Sequence, residues 1–181
     1  MKYISIAFFS MIIISCTQLS PEQEIIKETL NKNIELEMFS FVQQGNDTLS
    51  IKKLRDKYKF LSIVYLEDGC TPCYPKYLKW QKSADSLCTC DHYTVLFIIK
   101  GNNYESFLRK ILISEPEYDF KNEKLFVAMD NNQNFMNKNS HINRWAIEKT
   151  LLIDGDNKIR LVGSPLSSQK MKELFYSICS Q

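Results

Sequence analysis

Three short apolar runs occupy the middle of the chain. They are FLSIVYL (60–66), YTVLFII (93–99) and LFVAM (125–129). Apolar runs of about four to eight residues that are rich in β-branched and aromatic side chains are typical of strands buried on both faces of a parallel sheet. The pattern therefore predicts three central strands.

Apolar residues recur at intervals of three and four in the two stretches between these runs, which is typical of amphipathic helices. We predict one helix over 74–87 and another over 105–113, the second ending before Pro116. Their inward faces are predicted to carry Tyr77, Leu78, Trp80, Ala84 and Leu87 in the first helix, and Phe107, Leu108, Ile111 and Leu112 in the second.

The C-terminal part has a different pattern. The segments TLLI and IRLV flank a loop at 154–158 that contains Gly155, and this arrangement is typical of an antiparallel hairpin. A last helix is predicted to start at Ser167-Ser168. Its apolar stripe consists of Met171, Leu174, Phe175 and Ile178. The predicted order is therefore β-α-β-α-β, followed by β-β-α.

The part of the chain before the first run is less regular. A helix is predicted behind the start signal Ser20-Pro21, and a short strand is predicted over 38–42, closed by a turn at 45–47. The charged stretch KKLRDKYK (52–59) is interpreted as a solvated face that leads into the first central strand.

The beginning of the chain has the features of a targeting signal. One lysine precedes the apolar run 3–14, which is shorter than the about 20 residues needed to span a bilayer and is typical of a secretory signal peptide. The run ends in Ile-Ile-Ser-Cys at 13–16, which resembles the lipobox of bacterial lipoproteins. That resemblance implies cleavage before Cys16 and acylation of this residue. An ordinary signal peptide with an incidental cysteine is the alternative.

These boundaries divide the chain into a signal peptide (1–15), a lipidated tether (16–24) and one domain (25–181). Acyl chains on Cys16 would hold the domain at a membrane surface, in an extracytoplasmic and oxidising space. The chain of 181 residues has a formal net charge of only +2. A net charge this small creates no strong electrostatic field that would attract polyanions, so nucleic acid is not an expected partner.

Cysteine is the residue type that bears most on function. Five cysteines follow Cys16, at positions 70, 73, 88, 90 and 179. An odd number in a secreted protein cannot all pair internally. The segment Cys70-Thr71-Pro72-Cys73 falls between the first central strand and its helix. A redox couple, half of a zinc site and a structural staple are all compatible with such a pair.

The N-terminus of a helix favours thiol chemistry, because its unpaired N–H groups and partial positive charge stabilise a thiolate. Cysteine pKa values there fall to about 3.5–7.5 from about 8.5. We expect Cys70 to be exposed and to attack a substrate disulfide, and Cys73, one turn along, to resolve the mixed disulfide. A purely structural disulfide that closed so short a loop would restrict the conformations of the unfolded chain little.

A zinc site would need Cys88 and Cys90 beside the first pair. The predicted helix over 74–87 would place Cys88 roughly 22 Å beyond Cys73, at about 1.5 Å per residue, whereas each sulfur has to lie about 2.3 Å from zinc. We therefore expect no metal site. A structural bond and a second redox pair remain open for Cys88 and Cys90, and Cys179 is interpreted as a small buried hydrophobe.

The order of elements, with CTPC between the first central strand and its helix, resembles the thioredoxin fold. More narrowly, it resembles the membrane-anchored, extracytoplasmic thiol–disulfide oxidoreductases of the TlpA/ResA kind. The resemblance covers about 49–178 and includes the hairpin TLLIDGDNKIRLVGSP. It implies an α/β, thioredoxin-like fold, with a central mixed sheet flanked by helices and here an N-terminal helix and strand extension.

The same resemblance implies a function. Cys70 would be the nucleophile and Cys73 the resolving thiol of a redox-active disulfide that exchanges electrons with protein substrates and a redox partner protein. No bound cofactor is expected. The protein would lie on the periplasmic side of a bacterial membrane, anchored through Cys16. The alternative is a thioredoxin-fold binding or scaffold lipoprotein whose CTPC disulfide is inert.

Three positions depart from the family pattern. Gly69 stands where a tryptophan usually precedes the first cysteine, and Val64 stands where thioredoxins place a buried carboxylate. Lys149 replaces the cis-proline that precedes Thr150; a cis bond before lysine would cost about 2.5–4 kcal/mol, so we expect a trans peptide. Lys149 is interpreted as an exposed residue at the start of a strand, although near the thiols it would favour a thiolate.

Four other residues carry chemically active side chains. Glu67 and Asp68 follow the first central strand and are expected to be exposed, not to serve as the buried proton acceptor. His92 and His141 do not cluster with the cysteines, so solvated or hydrogen-bonded roles are expected for both.

Overall fold

The computed structural model describes residues 19–87, 90 and 92–180. Within them the strands are β1 (Phe41–Gln44), β2 (Asp47–Ser50), β3 (Phe60–Glu67), β4 (Tyr93–Lys100), β5 (Phe126–Met129), β6 (Leu151–Ile153) and β7 (Ile159–Val162). The helices are α1 (Pro21–Thr29), α2 (Ile51–Lys57), α3 (Cys73–Leu87), α4 (Tyr104–Ser114), α5 (Asn134–Lys138), α6 (Arg144–Lys149) and α7 (Gln169–Cys179), with a 3-10 turn at Phe120–Asn122. The predicted signal peptide, Cys16 and Cys88 lie outside the described residues.

One mixed sheet joins the seven described strands in the order β2-β1-β5-β4-β3-β6-β7. Strands β3, β4 and β5 run parallel, with Phe60 beside Tyr93 and Leu96 beside Phe126. The antiparallel hairpin of β1 and β2 extends one edge, and the hairpin of β6 and β7 extends the other. This arrangement confirms the predicted α/β class with a central mixed sheet flanked by helices.

Both faces of β3 are buried, because its side chains alternate between two cores. Val64 and Leu66 belong to the cluster under α3, α4 and α7. Ile63 and Tyr65 belong to the cluster on the opposite face, where α1, α2, α5 and α6 pack. A nearly continuous apolar run is therefore what this strand requires.

Helix α3 packs one face on the sheet. Its five predicted inward residues are all buried: Tyr77, Leu78, Trp80, Ala84 and Leu87. Because β3 and β4 are parallel, the start of α3 lies at the edge of the sheet where both strands end. That edge carries the CTPC segment.

A buried carboxyl group lies between α3 and α4. Glu123 is 7% exposed, and it accepts hydrogen bonds from the hydroxyls of Tyr77 at 2.5 Å, of Tyr118 at 3.0 Å and of Tyr104. Burial raises the pKa of Glu123 above its usual value, although the three hydroxyl donors act in the opposite direction. The network joins α3 and α4 to the segment that leads into β5.

The N-terminal part of the fold differs from its prediction in two places. Strand β1 begins at Phe41, not at residue 38, and the turn after it leads into β2, which was not predicted. The stretch 52–59 lies largely in helix α2, where Leu54 is fully buried. Leu54 and the partly buried Ile51 are the two apolar residues of this seven-residue helix, so the apolar periodicity that marks longer helices is absent.

Two further differences concern the C-terminal half. The polar segment after β5 contains α5 and α6, and α5 begins where the Asp130 carboxylate accepts hydrogen bonds from two backbone N–H groups. Phe135 of α5 is fully buried. In α7 the predicted stripe is partly wrong, since Leu174 is 45% exposed while Phe175 and Cys179 are buried.

Helix α1 begins at Pro21, behind a capping box formed by Ser20 and Gln23. Its first turn therefore overlaps the end of the segment 16–24 that we predict as a tether. Among the described residues, no helix is both long enough and apolar enough to cross a bilayer.

Candidate active site

The two cysteines of CTPC lie at the junction of β3 and α3. They form a disulfide with their Cα atoms 5.3 Å apart, and Cys73 is the first residue of α3. The Cys73 N–H donates to the carbonyl of Cys70 at 2.9 Å, and the Cys70 N–H donates to the carbonyl of Glu67 at 3.1 Å. Two successive turns thus lead from the strand into the helix and hold both sulfurs at the N-terminus of α3.

The disulfide is accessible to solvent. Both cysteines are half-buried, and Gly69, Thr71 and Pro72 around them are exposed. The sulfur of a partner protein therefore has a route to the pair, which a disulfide sealed inside the core would lack.

A cavity of about 310 Å³ opens beside the disulfide. It lies between the end of β3, the first turns of α3 and the end of α6. Besides the two cysteines, its lining includes Glu67, Lys76 and Glu148. Three residues with charged side chains therefore line this cavity together with the two cysteines.

Gly69 gives the turn before Cys70 its shape. Its φ of +92° lies in the left-handed region, where residues with a Cβ are strained. A Cβ at this position would meet nothing within 4 Å, so backbone conformation, and not lack of space, favours glycine where the family has tryptophan. The Gly69 N–H donates to the hydroxyl of Tyr74 at 2.8 Å, which ties the turn to α3.

Asp68 is engaged in a structural network. Its carboxylate accepts hydrogen bonds from the Tyr74 hydroxyl at 3.1 Å and from Nζ of Lys110 at 2.8 Å. The Asp68 side chain is 11% exposed, and its hydrogen bond raises the pKa of Lys110. The expectation that Asp68 is exposed is therefore wrong. The residue joins the turn to α4 and is not part of the cavity lining.

Glu67 lines the cavity from the end of β3. Its carboxylate pairs with Nζ of Lys100 at 2.5 Å, and its side chain is 42% exposed. Its backbone N–H donates to Sγ of Cys73 at 3.5 Å. Val64, at the position where thioredoxins place a buried carboxylate, is fully buried in the apolar core. Glu67 is therefore better placed than Asp68 to take a proton from the dithiol.

Lys76 lines the same cavity from the first turns of α3. Its Nζ donates to the carbonyl of Glu148 at 3.3 Å. Burial lowers the pKa of Lys76; the charge of Glu148 opposes this effect and the charge of Lys149 adds to it. Lys76 is not among the residues predicted from the sequence. Its spacing of three from Cys73 on a predicted helix is the signal that would have found it.

The Lys149–Thr150 peptide is trans, as expected; no cis bond occurs among the described residues. Lys149 is exposed, and its Nζ lies 5.2 Å from the ring centroid of Trp145. It does not line the cavity. Its exposure agrees with the interpretation, but Lys149 ends α6 and does not start a strand. Thr150 is fully buried with a φ of +106°, which is a strained conformation for a β-branched residue.

The remaining cysteines and histidines in the described residues lie away from the dithiol cavity. Cys179 is buried, as predicted, and burial is the main cause that raises the pKa of its thiol, with a contribution from Cys90. Nε2 of His141 lies 2.9 Å from the carbonyl of Asn33, and His92 lines a separate cavity. In the part of the chain that the structure describes, no group of three His, Cys, Asp or Glu side chains is placed to hold a metal ion.

Similarity to known proteins appears in structure and not in sequence. No protein-family model and no curated protein matches the chain. A candidate thiol–disulfide oxidoreductase from Bacteroides vulgatus matches with a TM-score of 0.56 at 16% identity, over 84% of this chain and 98% of its own. A second candidate from that organism matches with a TM-score of 0.54 at 19% identity, over 78% and 86% of the two chains. A candidate thiol:disulfide interchange protein DsbE from Chlorobium tepidum matches with a TM-score of 0.53 at 10% identity, over 82% and 98%.

Identities this low establish the fold and not the activity. The fold is thioredoxin-like, as the resemblance in sequence predicts. The protein thus combines the fold of thiol–disulfide oxidoreductases with a Cys70–Cys73 pair at disulfide distance. That pair lies at the N-terminus of the helix that follows β3.

Proposed function

We propose that this protein is an extracytoplasmic thiol–disulfide oxidoreductase, anchored to a bacterial membrane through an acylated Cys16. One observation carries the proposal: a half-buried Cys70–Cys73 disulfide lies at the N-terminus of α3, within reach of solvent and beside a charged cavity. Its substrates are protein thiols and disulfides, and a separate redox partner protein supplies or removes the electrons. The exchange itself needs no bound cofactor.

Cys70 is the proposed nucleophile. In the reduced protein its thiolate attacks one sulfur of a substrate disulfide, a mixed disulfide forms, and the other substrate sulfur leaves with the electron pair of the broken bond. Cys73 then loses its proton and attacks the Cys70 sulfur, which releases the second substrate sulfur as a thiolate. The substrate is reduced by two electrons and the protein is oxidised to its disulfide. Oxidation of a substrate dithiol follows the same steps in reverse.

Glu67 is the proposed acceptor of the Cys73 proton. Its carboxylate lines the cavity that contains both sulfurs, and its backbone N–H contacts Sγ of Cys73. The ion pair with Lys100 holds the carboxylate at the end of β3. This arrangement supports a base at the edge of the sheet in a protein whose strand interior has Val64 instead.

The proposed anchor rests on the sequence before the domain. The apolar run that ends at Cys16 has the length and spacing of a lipoprotein signal. Since α1 begins at Pro21, only a short segment joins the proposed acylation site to the first helix. The domain (25–181) would therefore lie close to the membrane surface.

Trapping of mixed disulfides tests the proposed redox function. The Cys73→Ala variant of the full chain is exposed to extracytoplasmic proteins of a bacterium, and adducts are collected without reductant. We expect protein adducts on Cys70 that dithiothreitol releases, and no adducts with the double variant Cys70→Ala/Cys73→Ala. In glutathione buffers the wild-type disulfide should titrate above about −300 mV. A lower potential together with no adduct would contradict the proposal and establish the inert scaffold instead.

A further inference from the structure

Lys76 differs from the other lysine beside the dithiol cavity in what it binds. Lys100 pairs with the carboxylate of Glu67. The Nζ of Lys76 donates to the backbone carbonyl of Glu148 and forms no ion pair with a carboxylate of the described residues. The positive charge of Lys76 is therefore not neutralised by a direct partner.

Helix geometry directs the Lys76 side chain toward the sulfurs. Cys73 is the first residue of α3 and Lys76 is the fourth, and helical positions three apart share a face. Side chains on an α-helix tilt toward its N-terminus, so the lysine stem runs back toward the disulfide. Lys76, Cys70 and Cys73 all line one cavity.

Charges of both signs surround Lys76. Glu148 and Lys149 at the end of α6, and Glu67 at the end of β3, are the charged side chains of the elements that face it. Burial lowers the pKa of Lys76, which indicates that its ammonium is only partly hydrated. A cation in such surroundings interacts more strongly with a neighbouring thiolate than a cation in bulk water does.

We propose that Lys76 is the side chain that stabilises the thiolate of the reduced Cys70–Cys73 pair, an inference that rests on the proposed function. When the dithiol of a partner protein reduces the disulfide, that dithiol loses two electrons and two protons and becomes a disulfide. Cys73 takes up one proton, the other passes to solvent, and Cys70 remains a thiolate beside the Lys76 ammonium. The N-terminus of α3 acts on the same sulfur, so the lysine adds to the effect of the helix.

The pKa of the Cys70 thiol tests this role. The reduced full chain is alkylated with iodoacetamide over a range of pH, and the rate at Cys70 is followed by mass spectrometry of its peptide. The variants are K76M, K76R and K79M. Lys79 is the matched control, because it lies one turn further along α3, its Nζ donates to the carbonyl of Leu166 at 3.1 Å, and it does not line the cavity.

We expect K76M to raise the pKa of the Cys70 thiol by about 1. The Cys70 pKa of K76R should remain near that of wild type, and the Cys70 pKa of K79M should equal it. Because the reduced form loses stabilisation, the equilibrium with glutathione should shift about tenfold toward the disulfide, which is about 30 mV for a two-electron couple. The difference in the alkylation rate at Cys70 between wild type and K76M should disappear at alkaline pH, where the Cys70 thiol is ionised in both proteins.

Two results would overturn the inference, and they are distinguishable. If K76M leaves both the Cys70 pKa and the glutathione equilibrium unchanged while Cys73→Ala still traps substrates, Lys76 has no such role and the proposed function stands. If the wild-type disulfide does not exchange with glutathione and Cys73→Ala traps no substrate, both proposals fail. Circular dichroism verifies that K76M is folded, and K76Q replaces it in the same comparison if K76M is not.

Discussion

The backbone N–H of Glu67 donates to Sγ of Cys73 across 3.5 Å, so the last residue of β3 contacts the first residue of α3. A backbone donor stabilises a sulfur that carries negative charge more than it stabilises a neutral thiol. The carboxylate of the same Glu67 lines the cavity beside the disulfide. The residue proposed as proton acceptor is therefore also the residue whose backbone contacts the Cys73 sulfur.

The first prediction concerns that acceptor. E67Q keeps the shape of the side chain and removes its basicity, so Cys73 has to lose its proton to water. We expect the release of substrate from the mixed disulfide to slow by about tenfold or more at neutral pH. The defect should decline as the pH rises toward the pKa of the Cys73 thiol. Stopped-flow measurement with a model disulfide checks this.

E148Q is the control for E67Q, because Glu148 lines the same cavity from α6 and its side chain is not adjacent in sequence to the dithiol. Its rate of release should remain within a few-fold of wild type. Equal rates for E67Q and wild type across the pH range would show that Glu67 is not the acceptor.

The second prediction concerns the turn before Cys70. G69A forces a residue with a Cβ to adopt a φ of +92°, which should lower the free energy of unfolding by about 1–2 kcal/mol. G155A is the matched control: a Cβ at Gly155 also meets nothing within 4 Å, and Gly155 has no φ in the left-handed region. Urea unfolding of both variants measures the difference. Similar values for the two would rule out backbone strain as the reason for glycine at position 69.

The third prediction concerns Thr150, whose φ is +106°. Glycine relieves strain that alanine retains, so the free energy of unfolding of T150G should exceed that of T150A by about 1 kcal/mol. Thr29 is a matched position, since both threonines are buried and neither Oγ1 has a hydrogen-bond partner among the described residues. Thr29 lies in α1, where glycine is up to about 1 kcal/mol less stable than alanine. If the glycine variant were more stable than the alanine variant at both positions, or less stable at both, backbone strain at Thr150 would be ruled out as the cause.

The fourth prediction concerns the pH dependence of stability. Burial raises the pKa of Glu123 in the folded protein above its usual value of 4.5, so folding favours the protonated carboxyl. The contribution of the protonated Glu123 carboxyl to the free energy of unfolding is fully present below the pKa that Glu123 has in the unfolded chain. It is lost as the pH rises through the pKa of Glu123 in the folded protein. The free energy of unfolding of wild type minus that of E123Q should therefore fall as the pH rises from about 4.5.

Urea unfolding at a series of pH values measures this difference, because glutamine does not ionise. E117Q removes one negative charge from an exposed position on the same segment and controls for net charge. A difference between wild type and E123Q that stays level or rises with pH would contradict the assigned direction of the Glu123 pKa.

The fifth prediction concerns the anchor. Cys16→Ala removes the proposed acylation site, and each buried methylene of an acyl chain contributes about 0.8 kcal/mol to membrane binding. We expect the variant to leave the membrane fraction, while Cys179→Ala, which alters a buried thiol of the domain, stays with it. Mass spectrometry of the mature N-terminus identifies the modification. A mature N-terminus at Cys16 without an acyl group, or a wild-type protein not cleaved before Cys16, would exclude the lipid anchor.

The central strands and α3 were predictable because burial imposes a local pattern on them. A strand with a core on each face, such as β3, is apolar at nearly every position, and α3 is apolar at helical intervals. Helices α2 and α5 escaped prediction because each inserts one fully buried side chain, Leu54 and Phe135 respectively. Helices of seven and five residues with so few apolar side chains are too short to show a periodicity.

The sequence by itself determined that the CTPC segment lies between a buried strand and the helix that follows it, and the roles of Cys70 and Cys73 as nucleophile and resolving thiol stay predictions. Only the tertiary structure decided which charges share the cavity with these sulfurs. Lys76 meets the carbonyl of Glu148, which lies 72 positions away in sequence, and Glu123 meets Tyr77 and Tyr104 from two other elements. Hydrophobic periodicity specifies which face of each element is buried. The packing of distant elements then selects which polar groups meet, and no local pattern encodes that choice.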